Sequence, residues 1–246
     1  MKRIQYTFIL SISLLFFACS LDNNQSNDTS NNDVLDVTEE PIGESGTSYS
    51  LLNLGDSYTI GQSVCSSCRF PSQLKDSLSS VLTEDKFELQ IVAQTGWTTS
   101  NLITNLNSET LDSNFDLVTL LIGVNNQFQG KPFEIYETEF PELVDKAIMY
   151  ANNDPSKLIV VSIPDYAFTP FGNGNWSITN EIDKYNGFAR SYCYVNNITF
   201  VDITDITRLG LVQPELVASD GLHPSTIAYS KFVERLLPQA LQKLQF

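Results

Sequence analysis

Three side chains in this sequence could together move a proton and form a bond to carbon. Ser57 follows the apolar run Leu51-Leu52-Asn53-Leu54, which ends abruptly in Gly55-Asp56-Ser57. A serine hydroxyl attacks an acyl carbon only when a base takes its proton and fixed donors hold the oxyanion that results. His223 is the chain's single histidine, so any mechanism needing an imidazole must use it, and a multi-histidine metal site is excluded. Asp220 precedes it in Asp220-Gly221-Leu222-His223. At a helix start this spacing can bring the carboxylate to one ring nitrogen, fixing the tautomer and leaving the other nitrogen free as a base. Each feature also has a plainer reading. Gly-Asp-Ser is common turn chemistry, and a lone histidine is commonly a surface or helix-capping residue. Set at one edge of the same sheet, the three make a candidate triad of Ser57, Asp220 and His223.

That juxtaposition depends on the elements between. From Tyr49 onward, apolar strand-like runs alternate with segments of helical length. Strands are expected at 51–54, 87–93, 117–122, 158–163 and 198–203. Helices are expected at 69–82, 98–106, 133–152, 178–195 and 226–244, with Pro141 starting or kinking the third and Pro238 kinking or splitting the last. Strands that are apolar throughout rather than alternating point to a parallel sheet covered on both faces. Ligands of such sheets bind in the crevice at the carboxyl ends of the strands. Four Gly-containing polar loops fall there: 55–57, 94–96, 123–126 and 220–224. The Pro/Gly/Asn-rich stretch 164–176 reads as a surface excursion within one domain.

The ordered set of blocks resembles the GDSL-type serine hydrolases, the SGNH hydrolase superfamily. Gly55-Asp56-Ser57 matches the first block, with Tyr58 for the usual leucine. Gly96 stands at the family's glycine. Gly123-Val124-Asn125-Asn126 matches the third block with Asn126 for aspartate, and Asp220-Gly221-Leu222-His223 matches the last. The resemblance implies a three-layer α/β/α flavodoxin-like sandwich around a five-stranded parallel sheet, and a serine esterase working through an acyl-serine intermediate without a cofactor. It implies Ser57 as nucleophile, His223 as general base and then acid, and Asp220 as the group that orients the imidazole. The N–H groups of Ser57 and Gly96 and the Asn125 amide would form the oxyanion hole. Acetylated carbohydrate, lysophospholipid and small acyl esters are the candidate substrates. Acyl transfer would use the same residues, and a non-catalytic glycan- or lipid-binding protein on this scaffold is the alternative from another class.

The remaining features are weighed against ordinary packing. Trp97, Asn126 and Trp176 are candidate substrate contacts, Trp176 together with Phe168 and Phe171 as an aromatic wall. Tyr58, Phe128 and Tyr166 near the same loops read as packing. Glu134, Glu137, Glu139 and Glu142 read as a solvated helix face. Cys65 and Cys68 form a Cys-x-x-Cys, and Cys193 lies far off. A structural disulfide suits an exported chain, and the pairing among the three stays open.

The N-terminus carries an address. Lys2 and Arg3 precede an apolar run, 4–17, too short to span a bilayer comfortably. Its end, Leu15-Phe16-Phe17-Ala18-Cys19-Ser20, resembles a bacterial lipoprotein signal with Cys19 as the lipidated residue. Residues 1–18 would then be the signal peptide, 19–48 an Asn/Asp/Ser/Thr-rich disordered tether, and 49–246 the hydrolase domain. The protein would be exported and lipid-anchored in the cell envelope, probing ester substrates as a monomer and touching the membrane through that anchor alone. A formal charge of −15 over 246 residues argues against nucleic-acid partners.

Overall fold

A computed structural model describes residues 46–245. The signal peptide, Cys19 and nearly all of the expected tether lie outside the described residues. Five strands form one parallel sheet: β1 (Ser48–Gly55), β2 (Lys86–Ala93), β3 (Leu117–Leu121), β4 (Leu158–Val161) and β5 (Thr199–Val201). Their order is β2-β1-β3-β4-β5, every neighbouring pair parallel. The helices are α1 (Ser57–Ile60), α2 (Phe70–Val81), α3 (Thr99–Ser108), α4 (Val124–Phe128), α5 (Phe133–Tyr150), α6 (Trp176–Val195), α7 (Thr204–Thr207) and α8 (Thr226–Leu244).

The layering follows from connection handedness. Right-handed crossovers place the β1–β2 helix on one face and the helices leading to β3, β4 and β5 on the other. Accordingly α2 packs on α8, while α3, α5 and α6 pack in succession. The chain leaves β1 toward β2, then reverses past β1 to β3. The carboxyl ends of β1 and β3 therefore flank the switch point where such sheets bind ligands.

The central strands are buried throughout, as their sequences imply: every residue of β3 and β4 is buried. β2 departs from that expectation. It is an edge strand whose Glu88 and Gln90 face solvent between Phe87 and Val92, so only part of it is covered. α5 and α8 run continuously through Pro141 and Pro238. An interior proline costs about 3 kcal/mol or more, yet α5 buries Tyr136, Phe140, Leu143, Val144, Ala147 and Tyr150 along one stripe. Burial of side chains on both sides of the proline, at roughly 1.5–3 kcal/mol each for the larger ones, outweighs the lost hydrogen bond. Glu139 is also not a solvated residue. Its carboxylate accepts from the hydroxyls of Thr99 (2.5 Å) and Ser100 (2.7 Å), tying α5 to the start of α3.

Candidate active site

The loop after β1 is shaped by close approach. A Cβ at Gly55 would lie 2.2 Å from Thr59 Oγ1 and 2.4 Å from the Leu121 carbonyl, so only glycine fits where the strand turns. Asp56 then caps α1, its Oδ1 accepting from the Tyr58 N–H at 3.0 Å. Ser57 is the first residue of that helix, where a backbone N–H has no intrahelical acceptor. The turn closes at Gly61 with φ +78°.

Asp56 is wholly buried. Burial pushes its carboxyl from the ordinary 3.8 up to about 7, against the pull of hydrogen bonds from Tyr58 and Asn125. The Asn125 contact crosses the switch point: its Nδ2 donates to Asp56 Oδ2 at 3.3 Å. The residue before the serine thus holds the asparagine amide from below.

Gly96 follows β2 with φ +84°, and nothing lies within 4 Å of where its Cβ would be. Glycine is required there by the backbone conformation, and its bare face opens to the cavity. Gln129 Nε2 holds the Gly96 carbonyl at 2.9 Å. After β3, Gly123 has φ +126° and its Cβ would strike the Tyr136 ring at 2.5 Å, so α4 begins without a side chain at its cap.

Asn126, expected among the substrate contacts, is instead fully buried. Its Oδ1 accepts from the Thr99 N–H at 2.9 Å and its Nδ2 donates to Thr99 Oγ1 at 2.6 Å. Because the Thr99 hydroxyl is spent on Glu139, its oxygen needs a donor, and an amide supplies one where a carboxylate could not. That accounts for asparagine at this position.

The last loop carries the imidazole. Gly221, at φ +72°, lets the chain turn back on itself. Asp220 Oδ1 accepts from the N–H groups of Leu222 (2.9 Å) and His223 (3.0 Å), and Oδ2 lies 2.7 Å from His223 Nδ1. Burial pushes the Asp220 carboxyl up, but hydrogen bonds from Ser63, His223 and Leu222 outweigh it and hold the group well below the usual carboxylate range. An acceptor that stays ionised places the proton on Nδ1 and leaves Nε2 bare.

Ser57, Gly96, Asn125 and His223 line one cavity of about 170 Å³, with Asp220 behind the imidazole. The rest of its lining is mainly apolar: Tyr58, Val124, Phe128, Tyr166 and Leu222, with Thr95. Phe128 and Tyr166 thus form the aromatic wall, where packing was expected, and Phe171 lies 5.8 Å and 6.3 Å from their rings. The other expected contacts stand apart. Trp97 is half-buried against the core. Trp176 is 68% exposed, its ring edge-on to Phe168 at 6.1 Å, and neither tryptophan lines the cavity. Gln129 and Ser63 were not legible as site residues; their partners, Gly96 and Asp220, are 33 and 157 residues away in the chain. Among the described residues, no group of three or more His, Cys, Asp or Glu could hold a metal ion.

Residues 54–231 match the model of the GDSL-like lipase/acylhydrolase family, a span that contains all four loops. The chain belongs to this family. As a GDSL-like acylhydrolase it is a serine ester hydrolase, which sets aside the reading as a binding protein alone. Solved structures share the fold. The acetylxylan esterase Axe2 from Geobacillus stearothermophilus superposes with a TM-score of 0.61 at 19% identity, over 82% of this chain and 96% of that one. The esterase EstA from Pseudoalteromonas sp., inhibited by monoethylphosphonate, gives 0.60 at 16% identity over 80% and 99%. A lipolytic G-D-S-L protein from Veillonella parvula gives 0.59 at 16% identity over 79% and 97%. No curated protein matches the chain by sequence.

Proposed function

We propose that this acylhydrolase cleaves short-chain carboxylic esters through an acyl-serine intermediate on Ser57. The observation that carries the reading is the meeting of Ser57, Gly96, Asn125 and His223 on one cavity at the switch point. His223 Nε2 takes the Ser57 hydroxyl proton as Oγ adds to the carbonyl carbon. The carbonyl oxygen, now an anion, accepts from the Ser57 and Gly96 N–H groups and from Asn125 Nδ2. Collapse expels the alcohol, which leaves with the proton from the imidazolium. Water then repeats the sequence on the acyl-serine: it gives a proton to His223, adds to the carbonyl and releases the acid, and Ser57 recovers its proton. Asp220 keeps Nδ1 protonated throughout and balances the imidazolium.

The cavity volume supports a short acyl group. Sites for drug-sized ligands span about 300–1,000 Å³, and a cavity of about 170 Å³ with apolar walls suits an acetyl or similarly short acyl group rather than a long chain. An acetylxylan esterase among the structural relatives agrees with that choice. A panel of esters of increasing acyl length, run on the wild type and on Ser57→Ala with a serine-reactive phosphonate as a label, tests it. The expected result is a phosphonate adduct on Ser57, loss of turnover in Ser57→Ala, and preference for the shortest acyl groups. Hydrolysis unchanged in Ser57→Ala would overturn the mechanism, and preference for long chains would overturn the acyl assignment.

The same reading places the domain outside the cytoplasm, tethered by lipid at Cys19. The Cys65–Cys68 disulfide supports export. Cys19→Ser is expected to move the protein from the detergent phase to the aqueous phase of a cell extract; retention in detergent would count against the anchor.

A further inference from the structure

Ser63 takes no part in the reaction as written, yet it touches the group that orients the base. It lies in the loop after α1, and its hydroxyl donates to Asp220 Oδ2 at 2.6 Å. Oδ2 therefore receives two donors, Ser63 Oγ and His223 Nδ1, while Oδ1 receives the two backbone N–H groups. The Asp220 side chain is 30% exposed. Without Ser63, solvent could take that lone pair and leave the carboxylate free to swing in the direction that weakens its bond to the imidazole.

The plain alternative is a surface hydroxyl that happens to meet a nearby carboxylate. Two observations count against it. Ser63 has φ +67°, in the left-handed region, and it is one of five described non-glycine residues with positive φ. The other four are Asn152, Asn153, Asn173 and Asn197, the residue type that tolerates this conformation best. A serine here bears a backbone cost that glycine would relieve, and what glycine lacks is the hydroxyl. The loop is also fastened on both sides of Ser63. Gln62 Oε1 accepts from Thr95 at 2.7 Å, and Cys65 is joined to Cys68 by a disulfide. Ser72 Oγ holds the Ser66 carbonyl at 2.7 Å.

We propose that Ser63 is a positioning residue of the active site, acting through Asp220 to hold the His223 imidazole in its working tautomer and orientation. The inference rests on the proposed triad. It adds a fourth group, supplied by the nucleophile's own loop, so that the segment carrying Ser57 also steadies the base that must activate it.

The test uses three variants of the full protein. Ser63→Gly keeps the backbone conformation at no strain and removes the donor. Ser63→Asn tolerates the conformation and keeps a donor. Ser57→Ala reports on the triad itself. Ser63→Gly is expected to lower kcat about tenfold with KM unchanged, the size of one hydrogen bond to a charged, partly exposed group. Ser63→Asn is expected to recover much of that loss. His223 is the only histidine, so nitrogen-15 histidine labelling gives one pair of ring signals. In Ser63→Gly these are expected to move from the Nδ1–H form toward a tautomer mixture, a change that a merely structural loop residue would not produce. Wild-type kcat and ring signals in Ser63→Gly, beside an inactive Ser57→Ala, would overturn the role of Ser63 alone. Full turnover in Ser57→Ala would overturn the triad beneath it.

Discussion

The two walls of the cavity are built by different means. On the polar wall, Asp56 is tied to Asn125 and Asp220 to His223, and each aspartate also to backbone N–H groups, by hydrogen bonds of 2.7–3.3 Å. The other wall, of Phe128 and Tyr166, is aromatic and open. Phe128 is 47% exposed, and the rings are held by contacts with each other and with Phe171, which does not itself line the cavity, by Tyr166 Oη donating to Gln127, and by the Phe171 N–H on the Gly221 carbonyl. In the proposed reaction, charge develops in the transition state only at the polar wall, where donors must be in place beforehand. The aromatic wall meets parts of the substrate that do not react, and there adaptable contact is enough. Substitutions should therefore divide: those on the polar wall acting on kcat, those on the aromatic wall on KM and substrate preference.

The largest effect is expected at His223. With no second imidazole in the chain, His223→Ala should lower kcat about 10⁴-fold or more, measured on any ester the wild type cleaves. Near-normal turnover would break the division at its root.

Asp56→Asn comes next and is the sharper probe. A carboxylate offers acceptors to both the Tyr58 N–H and Asn125 Nδ2, whereas an amide offers one acceptor and one donor. Whichever way the introduced amide turned, one donor would face another, and relief would come by turning the Asn125 amide away from the proposed oxyanion position. The expected loss in kcat is about 10²–10³-fold, that of one oxyanion donor, with KM little changed. The same variant bears on stability. Because the folded carboxyl is raised from 3.8 to about 7, its contribution is fully present below pH 3.8 and is lost as the pH rises through about 7. Asp220 has the opposite sign: its carboxyl is lowered, so its contribution is present above the ordinary range and lost on acidification. Asp56→Asn should flatten the fall in denaturant midpoint between about pH 4 and pH 7. A slope identical to the wild type's would show that Asp56 does not titrate there.

How much of this was legible beforehand follows the same division. That Ser57, Gly96, Asn125 and His223 meet on one cavity with Asp220 against the imidazole could be read beforehand, because the sheet brings strand ends together. β1, β3 and β4 could be read from short, mainly apolar runs. The half-solvated character of β2 could not, since an edge strand shows solvent one face. The short helices α1, α4 and α7 have four or five residues each, too few for a 3.6-residue period to register. The disulfide lay beyond spacing alone: the structure joins Cys65 to Cys68 and leaves Cys193 buried and free, burial pushing its thiol up to about 12. Asn126 has the look of a contact because it is a polar residue in a site motif, whereas the structure buries it with its amide oxygen and nitrogen both bonded to Thr99. Aromatic residues were hardest to place. Which of Phe128, Tyr166, Phe171 and Trp176 meets the cavity depends on the course of one loop, and no periodicity encodes that.

Phe128→Ala tests the aromatic wall directly. Its ring lines the cavity; losing an apolar contact with the bound ester is worth about 1 kcal/mol, so KM should rise several-fold with kcat unchanged. The smallest effect is expected at Trp176. Its ring meets Phe168 at the first residue of α6 and does not line the cavity, so Trp176→Ala should leave kcat and KM unchanged for small acyl esters. Polymeric substrates make this variant informative. If the wall of Phe128 and Tyr166 is the whole of the recognition surface, an acetylated oligosaccharide should also bind the variant as well as the wild type. A raised KM for the oligosaccharide alone would instead extend the aromatic wall outward along the 164–176 loop to Trp176. The polar wall would then still set the rate, while selection of the alcohol half of the ester would reach well beyond the cavity.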